Sequence, residues 1–336
     1  MKKTLLISSI LIVCLLFTGC LNTANKGELI AEYPTDSLPK LLATTDEYWF
    51  YLLSEYGSSD YTLAIGQSPD EFEKVHSFSD ARVWNMAAEE DTVVWCEDHD
   101  TKNVYNMYSV EKGEVTEIFT SDKTNGHQLA NMGIYNGNIY YGYTDYSNSH
   151  SGIYRYSPES GETTEIFTIP FIEDPCIMAL GFDNEYISIA SDKDITVINI
   201  ENGEVVYSYT LEDNIEYVYA LSYDFPNGTM GIYYYDQAEQ IGVIKDDELL
   251  SVFTLNTNHY VYNENILCKN GHLYWISLAN VSGRIIDHYV YVDYDYNTHK
   301  PVEVKGTFGF VFKNDSTYLL RMGKGAKDLK LYDITK

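Results

Sequence analysis

Cysteine, proline and positive charge are all scarce in this chain, and each scarcity closes off a class of answer. Five cysteines and eight prolines are spread over 336 residues. Cys14 and Cys20 lie within the first twenty positions; Cys96, Cys176 and Cys268 follow at wide spacing, with no CxxC and no His/Cys pair at metal-ligand distance. A dense disulfide scaffold is excluded, and one bridge among the last three stays open. Their neighbours (VVWCED, DPCIMAL, NILCKNG) are apolar, which favours buried free thiols. Basic residues number 22 against 50 acidic, for a formal charge of -28. Such a field repels phosphate backbones, so no nucleic-acid partner is expected. Charged residues are nonetheless only 21% of the chain and aromatics are 15%, so the acidity is the skin of a folded domain and not a disordered tail.

Long apolar runs are also missing, with one exception at the start. Lys2 and Lys3 precede an apolar run of 13 residues from Leu5 to Phe17, broken by Ser8 and Ser9 and followed by Thr18, Gly19 and Cys20. That run is short of the roughly 20 residues a helix needs to span a bilayer. A basic start, an apolar middle and a small-residue cleavage site make a secretory signal over residues 1–19. Phe17-Thr18-Gly19-Cys20 resembles the bacterial lipobox, with Phe17 where Leu is usual. The resemblance implies that Cys20 becomes the new N-terminus and carries a thioether-linked diacylglycerol. Residues 20–26 then read as the lipidated cysteine and a polar tether. Two or more acyl chains hold a protein stably on a membrane. The expected location is the extracytoplasmic side of a bacterial membrane.

Sustained helical periodicity with caps is absent as well. Hairpin signals take its place. TTDEYWFY (Asp46), EEDTVVW (Asp91), YNGNIYY (Gly137), FDNEYIS (Asn184), PNGTMGIYYY (Gly228), KNGHLYW (Gly271) and KNDSTYLL (Asp315) each place turn residues between strand-like flanks. Successive intervals are 45, 46, 47, 44, 43 and 44 residues. Asn-Gly and Asp-Xaa suit two-residue turns whose central positions need positive φ. An offset series follows: SPDE, EKGE, ESGE, ENGE, KDDE and NTHKP. Two hairpins per unit make four strands, and four-stranded units of about 45 residues are the blades of a β-propeller.

The expected fold is therefore all-β, a seven-bladed propeller of four-stranded antiparallel blades over residues 27–336. The last unit ends one strand short, after GTFGFVF, TYLLRM and KLYDITK. An orphan segment, GELIAEYP at residues 27–34, opens with Gly-Glu like the fourth strands GEVTEIFTS and GETTEIFTI. It is expected to complete the seventh blade and close the ring. NGNIYYGYTDYSNSHSGIYRYSPESGETTEIFT resembles the blades of TolB-like propellers and of related bacterial lipoprotein domains of unknown function. That resemblance covers most of the mature chain. It implies a binding or scaffolding module, with some enzymes among such proteins, and fold alone does not choose between them.

Catalytic signatures are missing from the rest. There is no GxSxG elbow, Walker loop, dinucleotide fingerprint, HExxH or EF-hand spacing. Function is expected on the ring face that carries the second-to-third-strand and blade-to-blade connections, because these vary in length while the tight turns do not. The densest polar cluster there is Glu97, Asp98, His99 and Asp100; such oxygen-rich loops can hold a cation, but solvated carboxylates are commoner. No metal and no cofactor are expected. Tyr143, Asp145, Tyr146, His150, Tyr235 and Tyr260 complete the ligand-binding set, since loop tyrosines can stack on sugars or grip peptides. His127, His259 and His288 are further loop histidines. Most of the 32 tyrosines should pack between blades. The reading is a monomeric, lipid-anchored module binding an envelope protein, peptide or glycan. The alternative is an envelope hydrolase or lyase acting on polysaccharide or peptide, which needs a convergent carboxylate pair or a perturbed His in a deep pocket.

Overall fold

The computed structural model describes residues 27–335, apart from 35–36, 56–57, 59, 84, 124–125, 128–131, 171–176, 184, 256–258, 280–288, 314–315 and 323–327. The leader, Cys20, the tether, Cys176 and His288 lie outside the described residues. The described backbone is almost entirely strand, arranged in seven antiparallel sheets that are the blades of a propeller. We number them in chain order: blade I (38–78), II (86–122), III (126–169), IV (179–210), V (217–254), VI (259–305) and VII (307–333).

Turn chemistry explains where each blade folds back. In blade III, Asn136 and Gly137 take φ of 49° and 70° between strands Met132–Tyr135 and Asn138–Asp145, and Asn270 and Gly271 do the same in blade VI at 53° and 85°. Both central residues of such a turn must be left-handed, which Asn and Gly tolerate. Gly113, Gly161 and Gly203 stand at positive φ in the offset series of turns.

Blade VII is completed by the N-terminal strand Glu28–Pro34, which pairs antiparallel with strand Asp328–Asp333. The sheet order places it outermost, in the position of the missing fourth strand. Blade III departs from the regular plan. Its innermost strand comes in two pieces, Gly126–His127 and Met132–Tyr135, both paired with Asn138–Asp145. Gly126 and His127, in the passage from blade II to blade III, are thus paired as strand. The turn between the second and third strands of blade V is a tight one, with Gln237 alone at φ 54° between paired Asp236 and Ala238.

No single centre holds the domain together. Seven apolar clusters form instead, one at each interface between neighbouring blades. This ring of small cores lets more than 300 residues fold as one unit, each blade burying its faces on the next. Many tyrosines belong to it: Tyr105 of blade II meets Tyr141 of blade III at 5.4 Å between ring centroids, and Trp49 of blade I meets Tyr318 of blade VII edge-on at 5.1 Å. Contact is close enough that a Cβ on Gly181 of blade IV would stand 2.2 Å from the Leu221 carbonyl oxygen of blade V. Cys96 and Cys268 are buried free thiols, as their apolar neighbours indicated.

Candidate binding face

The ring has two unlike faces. One carries the tight turns within blades, such as Asn136-Gly137 and Asn270-Gly271. The other carries the second-to-third-strand connections and the passages between blades. Glu97, Asp98, His99, Asp100, Tyr143, Asp145, Tyr146, His150, Tyr235 and Tyr260 all fall at the loop-face ends of their strands or in the loops themselves. They are spread over blades II, III, V and VI.

The Glu97 cluster turns inward. Strand Thr92–Asp98 alternates so that the Glu97 side chain packs beneath the face, 7% exposed. Its Oε1 accepts from Trp95 Nε1 at 3.0 Å and Asn106 Nδ2 at 2.9 Å, and its Oε2 lies 3.2 Å from His99 Nε2. His99 Nδ1 in turn lies 3.0 Å from the Asp80 carbonyl oxygen. Asp98 is ion-paired to Lys123, and its backbone exchanges two hydrogen bonds with Arg82. Asp100 is exposed. Buried polar groups need partners, and here the partners are protein groups that fix the inter-strand geometry. Among the described residues, no group of three or more His, Cys, Asp or Glu is placed to hold a metal ion.

The blade III residues are similarly engaged. Asp145 accepts from the backbone N–H groups of Ser147 and Asn148 and from both their side chains, which shapes the 146–149 turn around Tyr146. These bonds hold its carboxyl below the usual carboxylate range. His150 Nε2 lies 3.0 Å from Glu165 Oε2. Tyr143 stands edge-on to Phe119 and Tyr154 at 5.6 and 6.4 Å, and burial pushes its hydroxyl pKa up. In blade VI, Tyr260 pairs with Leu278 through its backbone, and its side chain lies outside the described atoms.

Tyr235 is different, because it lines an open depression of about 510 Å³ with Glu216, Tyr217 and Tyr219. Tyr217 opens strand Tyr217–Asp224, the innermost strand of blade V, directly opposite Tyr235 at the end of strand Thr229–Asp236. A β-bulge between Val218 and Ala220 leaves Tyr219 outside the ladder. Bulges re-aim side chains. Here the Tyr219 ring stacks on Tyr233 at 4.7 Å and approaches Tyr217 at 5.0 Å. The Tyr233 hydroxyl donates to Glu239 Oε2 at 2.6 Å, which fixes the platform beneath.

The passage that delivers Glu216 is pinned from several sides. Leu211 and Ile215 are buried, and Lys193 Nζ donates to the Ile215 and Asp213 carbonyls at 2.6 and 3.3 Å. Asn214 Nδ2 donates to Asp236 Oδ2 at 2.8 Å, and the Glu216 N–H donates to the Tyr235 carbonyl at 2.9 Å. A depression built this way loses little order when a ligand arrives. It brings one exposed carboxylate beside three phenol rings, a surface suited to cationic or ring-bearing groups. Its lining contributes no second carboxylate and no imidazole for acid–base work. Glu216, Tyr217 and Tyr219 were absent from the residues singled out by sequence; the alternating Tyr217-Val218-Tyr219 at a blade-to-blade passage was the available signal.

No protein-family model matches the chain, and no curated protein matches it in sequence. Solved structures do match in fold. YCF48 bound to D1 peptide aligns over 92% of this chain and 96% of its own, at TM-score 0.57 and 11% identity. The β-propeller domain of the Trilobed protease from Pyrococcus furiosus aligns over 90% and 97%, at 0.56 and 10%. The Pyrococcus horikoshii acylaminoacyl peptidase aligns over 94% of this chain at 0.54 and 11% identity, and the chain spans 53% of that enzyme's length. At these identities the likeness is one of fold.

Proposed function

We propose that this protein is a lipid-anchored, extracytoplasmic binding module that holds a cationic peptide segment of an envelope partner at the Glu216–Tyr217–Tyr219–Tyr235 depression. The observation that carries the reading is the convergence of three tyrosines and one carboxylate on a pinned passage of the loop face. Orientation supports it. Glu28 pairs with Asp333, and Asp333 with Tyr318 just after the turn between the first two strands of blade VII. The N-terminal strand therefore enters the ring at the tight-turn face, opposite the depression. A tether of seven residues from Cys20 to Lys26 reaches at most about 25 Å, so an anchored ring turns its tight turns to the membrane and its tyrosines outward. Of the proteins similar in fold, one is bound to a peptide and one is a peptidase, which agrees with this class of ligand.

The test compares a tetralysine-containing peptide with a chitin tetrasaccharide, by thermal shift and calorimetry, on the protein and on the Tyr217→Ala/Tyr235→Ala double variant. The peptide should raise the melting temperature, and the double variant should lose at least about tenfold in affinity. A response to the saccharide alone replaces the peptide by a glycan; no response to either, or equal binding by the variant, overturns the site. In cells, Cys20→Ser should move the protein from the membrane to the soluble fraction.

A further inference from the structure

A second cavity, separate from the depression, lies where blades VI, VII, I and II meet. Residues of these blades, which are consecutive around the ring, line a cavity of about 320 Å³, from the innermost strands and from the second strands of blades VI and VII. Its walls are mostly apolar: Leu42 from blade I, Leu267 and Ile276 from blade VI, and Phe308, Phe310 and Phe312 from blade VII. Phe310 and Phe312 lie on one side of strand Thr307–Lys313, against Tyr291 and Tyr274 of blade VI, and a β-bulge between Thr307 and Gly309 turns Phe308 into the cluster between blades VII and I, so the rings line the cavity from two sides. Phe310 and Phe312 stand 5.8 Å apart, edge to face.

One charged group enters this wall, and it is a cation. Lys40 lines the cavity, with its Nζ 5.8 Å from the centroid of the Phe308 ring. No Asp or Glu is among the lining residues, in a chain that carries 50. The surrounding sector shares this bias. Residues 269–336 hold ten basic and seven acidic residues, against 12 and 43 in residues 1–268. Burial pulls the Lys40 ammonium below its usual range, so the pocket desolvates the charge at a cost. Lys40 and Phe308 lie near the loop-face ends of their strands, which puts the charge toward one mouth and leaves the deeper wall to hydrocarbon. Asn85 and Tyr318 also line the cavity, whose volume falls within the range of small-molecule sites, and a mostly apolar pocket with a few placed polar groups is their usual form.

We propose that the cavity binds a small carboxylate with an apolar chain, its carboxylate on the Lys40 ammonium and its chain against the phenylalanine wall. This goes beyond the peptide reading and does not depend on it. The contact is a charge-assisted hydrogen bond in a water-poor setting, so charge sign sets specificity and the wall supplies affinity.

Octanoate, octanol and octylammonium chloride, titrated separately into the full-length protein by calorimetry with thermal shift in parallel, test it. Octanoate should bind and raise the melting temperature, with octylammonium at least about tenfold weaker. Lys40→Met should lose tenfold or more for octanoate while binding octanol as before, and Lys40→Arg should recover most of the loss. Leu267→Trp, which fills the cavity, should abolish binding of both. Melting temperatures of the unliganded variants establish that each is folded. Equal binding of octanoate and octylammonium, or an unchanged octanoate affinity in folded Lys40→Met, overturns the proposal. Loss of peptide binding at the tyrosine depression leaves these outcomes untouched, so the two sites fail separately.

Discussion

Deleting residues 27–34 should abolish the single cooperative unfolding transition of the ring and replace it with a broad one at a melting temperature more than about 10 °C lower. Strand Glu28–Pro34 supplies the outermost strand of blade VII, and without it the edge of strand Asp328–Asp333 is left unpaired. Its side chains also staple blade VII to blade I. Tyr33 is 1% exposed, with its ring 5.8 Å from Tyr51 and 6.3 Å from Phe72. Its hydroxyl donates to the Pro69 carbonyl at 2.7 Å, an oxygen that also accepts from Tyr51 at 3.1 Å. Burial pushes the Tyr33 hydroxyl pKa up to about 12, as expected of a phenol committed to a protein acceptor. Tyr33→Ala alone removes a fully buried aromatic, at about 3–5 kcal/mol. At about 2 °C for each kcal/mol in a large domain, that is roughly 6–10 °C. The surface ion pair of Glu32 with Lys330 in the same strand pair contributes little, and Glu32→Ala should leave the transition within about 2 °C. Calorimetry separates these cases, and an unchanged transition on deletion would falsify the closure.

The closing strand was legible because local chemistry and global topology state the same thing twice. Every blade needs a turn at its inner hairpin, and residues at positive φ mark four of them in the described chain: Glu90, Asn136-Gly137, Gly228 and Asn270-Gly271. Counting such turns leaves one strand over at each end, and the Gly-Glu opening of residues 27–34 matches the fourth strands. The loop-face site was less legible for reasons that are equally physical. A run of four polar residues at 97–100 looks available in sequence, but the partners that engage it, Asn106, Asp80 and Lys123, arrive from cross-strand pairing and from the neighbouring connection. Conversely, the Tyr219 ring reaches its neighbours through a bulge, and bulges depend on register, which period-two alternation does not encode. The Lys40 cavity needs four consecutive blades to close around it. Lys40 and Phe308 are 268 positions apart in the chain, and only ring closure brings them together.

Ring closure also places a proton where a carboxylate would normally stand. Asp183 ends the innermost strand of blade IV and reaches into blade V, where its Oδ2 accepts from the Tyr223 N–H at 2.7 Å and its Oδ1 from Ser222 Oγ at 3.1 Å. Ser222 Oγ in turn accepts from the Cys268 N–H of blade VI at 2.8 Å, so one chain of hydrogen bonds crosses three blades. Enclosure between blades pushes the Asp183 carboxyl up from 3.8 to about 7, with the nearby Asp224 adding to the rise, against the pull of its two donors. The folded state therefore holds this proton more tightly than the unfolded chain does. Its contribution to stability is complete below about pH 4, falls as pH rises, and is gone above about pH 7. A shift of this size is on the order of 4 kcal/mol. Asp183→Asn keeps an oxygen for the Tyr223 N–H and an amide for Ser222 Oγ, but has no proton to lose. Across a series of melting curves, the variant should match the parent near pH 4 and exceed it by roughly 8 °C at pH 8. The same variant controls for acids remote from this contact, such as Asp91 of blade II and Asp145 of blade III, which titrate identically in both proteins. A difference that stays constant from pH 4 to pH 8 would mean that Asp183 remains ionised between the blades, and that its two donors outweigh the enclosure.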